Sequence, residues 1–144
     1  MKSIINKLSA FIFLIIAIGF ASCNDSTEDL GQQLTAELTI QNKTQLLESS
    51  EWLLSGFETN VMHTFKNGKR FTHYGVAGVF PAEPIPGTEE YTITGGFLTI
   101  DFNFGNVYTY ELKVSCDTNI VEFYRDGELQ TTLYKKSSDY KQCL

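Results

Sequence analysis

The sequence is short of the residues from which catalytic and metal sites are usually built. His63 and His73 are the only two histidines in 144 residues. The three cysteines, Cys23, Cys116 and Cys143, form no Cys-x-x-Cys pair. There is no glycine-rich phosphate loop, no Gly-x-Ser-x-Gly elbow and no His-Glu-x-x-His helix. These absences point away from an enzyme, and the reading assigns no catalytic residue, no cofactor and no metal. Positive charge is also scarce: 11 Lys and Arg against 17 Asp and Glu give a net charge of −6. A nucleic-acid partner is excluded on that ground, because phosphate binding needs a basic surface. The three prolines all fall in "FPAEPIPG", as Pro81, Pro84 and Pro86, where they forbid a central strand and mark the longest irregular connection in the domain.

What is present begins with an address. Lys2 and Lys7 precede an apolar run from Phe11 to Phe20, which gives way to Ala21, Ser22 and Cys23. The run falls short of the roughly 20 residues of a spanning helix, and its charged, apolar, small-residue order is that of a secretory signal. A buried core helix would not be apolar on every face at the extreme N-terminus. Cleavage before Cys23 removes residues 1–22 and, with Lys2 and Lys7, makes the mature chain more acidic. The polar stretch opening at "NDSTEDLGQQ" then reads as a tether over residues 23–44, leaving residues 45–144 as a single domain. An exported chain folds where disulfides form, so Cys116 pairs with Cys143 and Cys23 is left over; two unpaired thiols are the alternative.

Within the tether, Leu34, Ala36, Leu38 and Ile40 alternate at strand spacing, while Leu30, Leu34 and Leu38 fit a helical stripe, and periodicity leaves the two open. Asn42 and Gln45, ahead of Leu46 and Leu47, mark a capped short helix ending near Ser49. From Trp52 onward, runs of Val, Ile, Thr, Tyr and Phe are cut by Asn-Gly, Gly-Gly and Asp-Gly, the signature of a sandwich or barrel of short strands. In "EEYTITGGFLTIDF" a turn at Gly95 and Gly96 sets Ile93 opposite Leu98 and Tyr91 opposite Ile100, with Thr92, Thr94, Thr99 and Asp101 facing away. Tyr108, Tyr110, Leu112 and Val114 alternate in the next strand. In "IVEFYRDGELQTTLY" a bulged Arg125-Asp126-Gly127 loop pairs Phe123 with Leu129 and aligns Val121, Leu129 and Leu133. Trp52 reads as a core plug at one end of the barrel.

Both histidines lie in "VMHTFKNGKRFTHY". A bulged Lys66-Asn67-Gly68 loop pairs His63 with Phe71 and Val61 with His73, gathering Val61, His63, Phe65, Phe71 and His73 on one face; a two-residue Asn67-Gly68 turn instead sends the histidines to opposite faces. Segregation of apolar residues favours the bulge. With it, His63, His73, Phe65 and Phe71 join Tyr91, Tyr108 and Tyr110 as candidate ligand-binding residues in a cavity, the alternative being hydrogen-bonded interior or rim histidines. Lys66, Lys69 and Arg70 read as a solubilising hairpin tip, with a grip on an anionic partner as the alternative, and adjacent Glu89 and Glu90 point to opposite faces.

The segments "LLESSEWLLSGFE", "EEYTITGGFLTIDF", "VYTYELKVS" and "IVEFYRDGELQTTLYKK" together resemble the small lipocalin-like lipoproteins of Bacteroides-type bacteria, over roughly Leu46 to Lys136. Tyr91, Ile93, Gly95, Leu98, Thr99 and Ile100 match that family's Tyr-x-Ile-x-Gly hairpin, and Trp52 its tryptophan, though Ser50 stands where the family has glycine. The resemblance implies an all-β fold: an antiparallel up-and-down meander closing into a lipocalin-like barrel behind a short N-terminal helix. It also implies fastening of the C-terminal segment by Cys116 and Cys143, and binding rather than a reaction. "Phe20-Ala21-Ser22-Cys23" resembles a lipobox, with Phe20 in place of the usual leucine. By that resemblance Cys23 carries diacylglycerol on sulfur and a fatty acid such as palmitate on nitrogen, holding the protein to the outer membrane, periplasmic or surface-exposed. The expected partners are therefore the membrane, a small apolar or amphipathic ligand in the barrel, or an envelope protein.

Overall fold

The computed structural model describes residues 37–144, a compact unit that opens at Glu37. The expectations for the signal, for Cys23 and for residues 30–36 lie outside the described residues. One helix and eight strands follow in order: α1 (Ile40–Glu48), β1 (Glu51–Leu54), β2 (Val61–Lys66), β3 (Lys69–Tyr74), β4 (Glu89–Thr94), β5 (Phe97–Asp101), β6 (Val107–Ser115), β7 (Ile120–Arg125) and β8 (Glu128–Lys135). A 3₁₀ turn at Tyr140–Cys143 ends the chain. Each strand pairs antiparallel with the next, and β1 returns to β8, so the sheet closes into an up-and-down barrel of the lipocalin-like class.

The helix forms where expected but is capped one turn earlier. Thr39, not Asn42, is the N-cap: its hydroxyl oxygen accepts from the Asn42 amide at 3.2 Å, and its hydroxyl donates back to Asn42 Oδ1 at 2.6 Å. The helix thus begins inside the stretch read as tether, and Ile40, Lys43, Thr44 and Leu47 form its buried stripe. It stoppers one end of the barrel. Lys43 Nζ donates to the Leu112 carbonyl at 2.7 Å and to Glu37 at 3.0 Å, so its buried charge is solvated by protein. Trp52, fully buried, donates from its indole to the Leu47 carbonyl at 3.0 Å and fastens the stopper to β1.

Hairpin turns fix which side chains face inward. The Gly95-Gly96 hairpin has the expected register, with Ile93 opposite Leu98 and Tyr91 opposite Ile100. The β2–β3 hairpin does not. Asn67 and Gly68 form a two-residue turn with φ of 53° and 73°, pairing His63 with Thr72 and Met62 with His73. Positive φ at both central residues is the type I′ signature, whose twist matches that of the strands; a bulged loop requires it only at the glycine. The β7–β8 turn is likewise two residues, Asp126 and Gly127, with φ of 54° and 81°. The irregularity falls further along, between Phe123 opposite Thr131 and Tyr124 opposite Leu129, so Val121 still meets Leu133 while Leu129 is half exposed.

The interior core packs most closely near the stopper, where Trp52, Phe65, Tyr91, Leu98, Leu112 and Leu133 meet Leu47 of α1, and it continues through Tyr110 to Leu54 and Phe102. Two patches cover the outside. The proline segment lies along β3, where the Ile85 amide donates to the Thr72 carbonyl at 2.9 Å in place of a strand partner. Its approach at Gly75 is so close that a Cβ there would stand 2.6 Å from Phe80. On the other side Tyr140 stacks on Tyr134 with centroids 4.4 Å apart, over Ile120 and Leu53. Cys116 and Cys143, as expected, lie at disulfide distance, with Cα atoms 5.9 Å apart across 27 residues of chain.

An oxidised pair closing that loop contributes roughly 3–4 kcal/mol through unfolded-chain entropy. The intact mass of the protein should therefore fall below that of the reduced chain by two hydrogens, and reduction should lower the urea-unfolding free energy by about that amount. An unshifted urea midpoint on reduction would mean that the Tyr140 stack alone holds the C-terminus.

Candidate functional site

The half of the barrel away from α1 is open, and its wall is the continuation of the inward faces just described. A cavity of about 590 Å³ lies there, lined by Leu54, Val61, His63, Arg70, Thr72, Tyr74, Glu89, Phe102, Tyr108, Tyr110, Arg125, Gln130 and Thr131. That size falls within the roughly 300–1,000 Å³ of small-molecule sites. Because the two-residue turn sets Phe65 opposite Arg70 and His63 opposite Thr72, one face of the hairpin carries all four into the interior.

The register also brings Arg70 opposite Glu89, the pair lying on the face that adjacent Glu90 leaves. Arg70 Nε donates to Glu89 Oε2 at 3.3 Å, with both side chains largely buried. The Arg70 guanidinium lies over the Phe102 ring at 4.7 Å and the Arg125 guanidinium over Tyr108 at 4.5 Å. Phe102 and Tyr108 are themselves in contact at 5.8 Å, so the two cations flank one aromatic pair. Arg125 Nη2 donates to Gln130 Oε1 at 3.1 Å, and among the described residues no carboxylate pairs with it. Gln130 is the extra residue of the β8 irregularity.

His63 is 6% exposed and shares a 3.1 Å hydrogen bond between Nδ1 and the Thr72 hydroxyl. Burial, reinforced by the charge of Arg70, lowers its pKa from 6.5 to about 3, so the imidazole is neutral. Burial raises the Tyr110 phenol, while Arg125 and Arg70 pull it the other way.

The seven expected ligand-binding residues separate. His63, Tyr108 and Tyr110 line the cavity. Phe65 and Tyr91 belong to the packed core, where Tyr91 donates to Glu48 of the stopper at 2.5 Å. Burial first, then that bond, raise the Tyr91 phenol. His73 and Phe71 are on the outer face, the consequence of the two-residue turn. There His73 is held between the Thr64 hydroxyl at 3.2 Å and the Pro81 carbonyl at 3.1 Å. Phe71 and His73 instead border a second hollow, of about 580 Å³, on the outer face with Pro84 and Ser50. Arg70 departs from the solubilising tip expected for it with Lys66 and Lys69 and faces the interior, where Glu89, Phe102 and Arg125, not expected as site residues, join it; the Asn-Gly and Asp-Gly turns are the sequence signal for both arginines.

Among the described residues no group of three or more His, Cys, Asp or Glu side chains could hold a metal, and no helix is long and apolar enough to cross a membrane. The chain matches no known family profile, no curated protein and no solved structure.

A histidine held neutral opposes acid. The unfolded chain takes up a proton near 6.5 and the folded one only near 3, so stability is complete above 6.5 and falls as pH drops through that window. The unfolding free energy should decline there with a contribution of up to about 1.4 kcal/mol per pH unit that His63→Gln lacks. Parallel profiles for the two proteins would show that His63 is not held neutral.

Proposed function

We propose that the protein is a lipid-anchored cell-envelope binding protein that holds a small apolar or amphipathic ligand in the open half of its barrel. The observation that carries this reading is the half-filled interior: a closed barrel whose core packs solidly against α1 yet leaves about 590 Å³ at the opposite end. A barrel serving only as a rigid spacer gains dispersion energy by filling that space. The rim supports the reading. Phe57, Val76 and Phe104 lie in three of the connections at the open end and Leu129 follows the fourth, all exposed, with Phe104 fully so. Apolar side chains at a mouth suit a ligand that must leave a lipid or micellar phase to enter.

The anchor and the outer-membrane address rest on "Phe20-Ala21-Ser22-Cys23" and its signal-like prelude. Multiple acyl chains on Cys23, followed by the acidic tether, would carry the barrel close to the bilayer. Cys23→Ser should move the protein from the membrane fraction to the soluble fraction of fractionated cells.

The same exposed rim favours a second reading, an envelope protein-interaction module whose partner covers Val76, Val79 and Phe104. Filling the cavity separates the two. Thr131→Trp should abolish binding of a fluorescent amphipathic probe while leaving the circular dichroism and any protein co-purification from intact cells unchanged. Undiminished probe binding by that variant would place the site outside the barrel.

A further inference from the structure

The cavity wall is not a uniform apolar surface, and its charges define which end of a ligand belongs in it. Arg70, Arg125 and Glu89 are its formally charged residues, His63 being neutral, so two cations face one anion inside a protein whose net charge is −6. Arg70 is largely buried, while Arg125 bonds to Gln130 at the exposed mouth, so the positive charge runs from rim to interior.

Donor accounting sharpens this. A guanidinium has five N–H donors in one plane. Arg125 gives one to Gln130, and Arg70 gives one to Glu89, with no further protein acceptor for either among the described residues. The Arg125 guanidinium carbon lies over the Tyr108 ring and that of Arg70 over the Phe102 ring, so each cation is placed by an aromatic contact and keeps N–H donors without a protein acceptor. A guanidinium with N–H donors to spare can take a carboxylate through two parallel bonds. The Tyr110 hydroxyl, on the same wall, has no protein hydrogen bond among the described residues.

We infer that the cavity selects an amphipathic monocarboxylate, its head group received by the open edge of Arg125 with Arg70 and the Tyr110 hydroxyl beside it, and its apolar tail along the aromatic wall. This rests on the ligand-binding reading above and specifies the ligand's charge. One negative charge matches the cavity's imbalance, and Glu89 stands against a second. Glu89 also acts as an internal competitor, occupying Arg70 when no carboxylate is bound.

The test compares decanoate with decanol, two molecules alike in tail and different in head, by displacement of a neutral fluorescent probe from the cavity. The protein should bind decanoate roughly 10- to 100-fold more tightly than decanol, as expected when a charged hydrogen bond is gained. Arg125→Gln should erase the preference by weakening decanoate alone. Glu89→Gln should strengthen decanoate severalfold, a gain that misfolding cannot mimic. If decanol binds and decanoate is no tighter, or if Arg125→Gln weakens both equally, the carboxylate inference falls while the carrier reading stands. If neither the probe nor either compound binds, both fall together.

Discussion

Closure of the sheet between its first and last strands is the constraint on which the rest of the molecule depends. Trp52, Leu53 and Leu54 pair with Lys135, Tyr134 and Leu133, and without that ladder the meander would end in two unpaired edges. Closure turns a period-2 alternation into an inside and an outside. The three pairing residues of β1 serve three purposes. Trp52 fastens the helical stopper, Leu53 packs outward under the Tyr134–Tyr140 stack, and Leu54 reaches the cavity. A strand of only four residues thus joins core, C-terminal clasp and candidate site.

The weakest link of the cylinder lies opposite in function. β3 and β4 share only the pairs Lys69–Glu90 and Arg70–Glu89, after which the strands part and the proline segment takes over the hydrogen bonding of β3. Proline cannot donate to a ladder, so this segment covers the strand without extending the sheet. The Arg70–Glu89 ion pair sits at the last point of contact, and its charges face the interior. A charge pair there costs desolvation that an apolar pair would not. It is offset in part by the Phe102 ring, over which the Arg70 guanidinium lies at 4.7 Å.

The legible part of the fold was what alternation and turn chemistry dictate locally. Tyr91, Ile93, Leu98 and Ile100 reach their expected partners because Gly-Gly admits the two-residue turn that the apolar residues also demand. At Asn67-Gly68 the two signals disagree. Apolar segregation favours putting Phe71 inside with Phe65, whereas turn twist favours Arg70 inside, and twist wins because the proline segment and helix end give Phe71 and His73 cover on the outside. That cover comes from distant residues, and no window on the hairpin contains it. The same holds at Asp126-Gly127, where the extra residue sits at Gln130 rather than in the turn, so that the core register recovers by Val121 and Leu133. Sequence therefore marks His63, Tyr108 and Tyr110 as interior, and misses the arginines because a one-residue difference in turn length exchanges the faces of a whole strand.

That exchange changes what the barrel is suited to hold. With Phe71 and His73 inside, the cavity would be an aromatic pocket tuned by an imidazole; with Arg70 inside, it carries fixed positive charge that persists at every physiological pH. Burial of His63 beside Arg70 follows from the same register, since a protonated imidazole next to a guanidinium is penalised twice, by desolvation and by repulsion. The acidic exterior does not cancel the arginines within. Surface charges are screened over about 8 Å at physiological ionic strength, whereas the largely buried Arg70 is screened far less. Under the proposed reading, a ligand approaching the mouth would meet a weak, screened repulsion outside and a local attraction once past the rim. Such a profile disfavours polyanions, which gather repulsion along their whole length, and favours a small molecule with a single charge that can be surrounded completely.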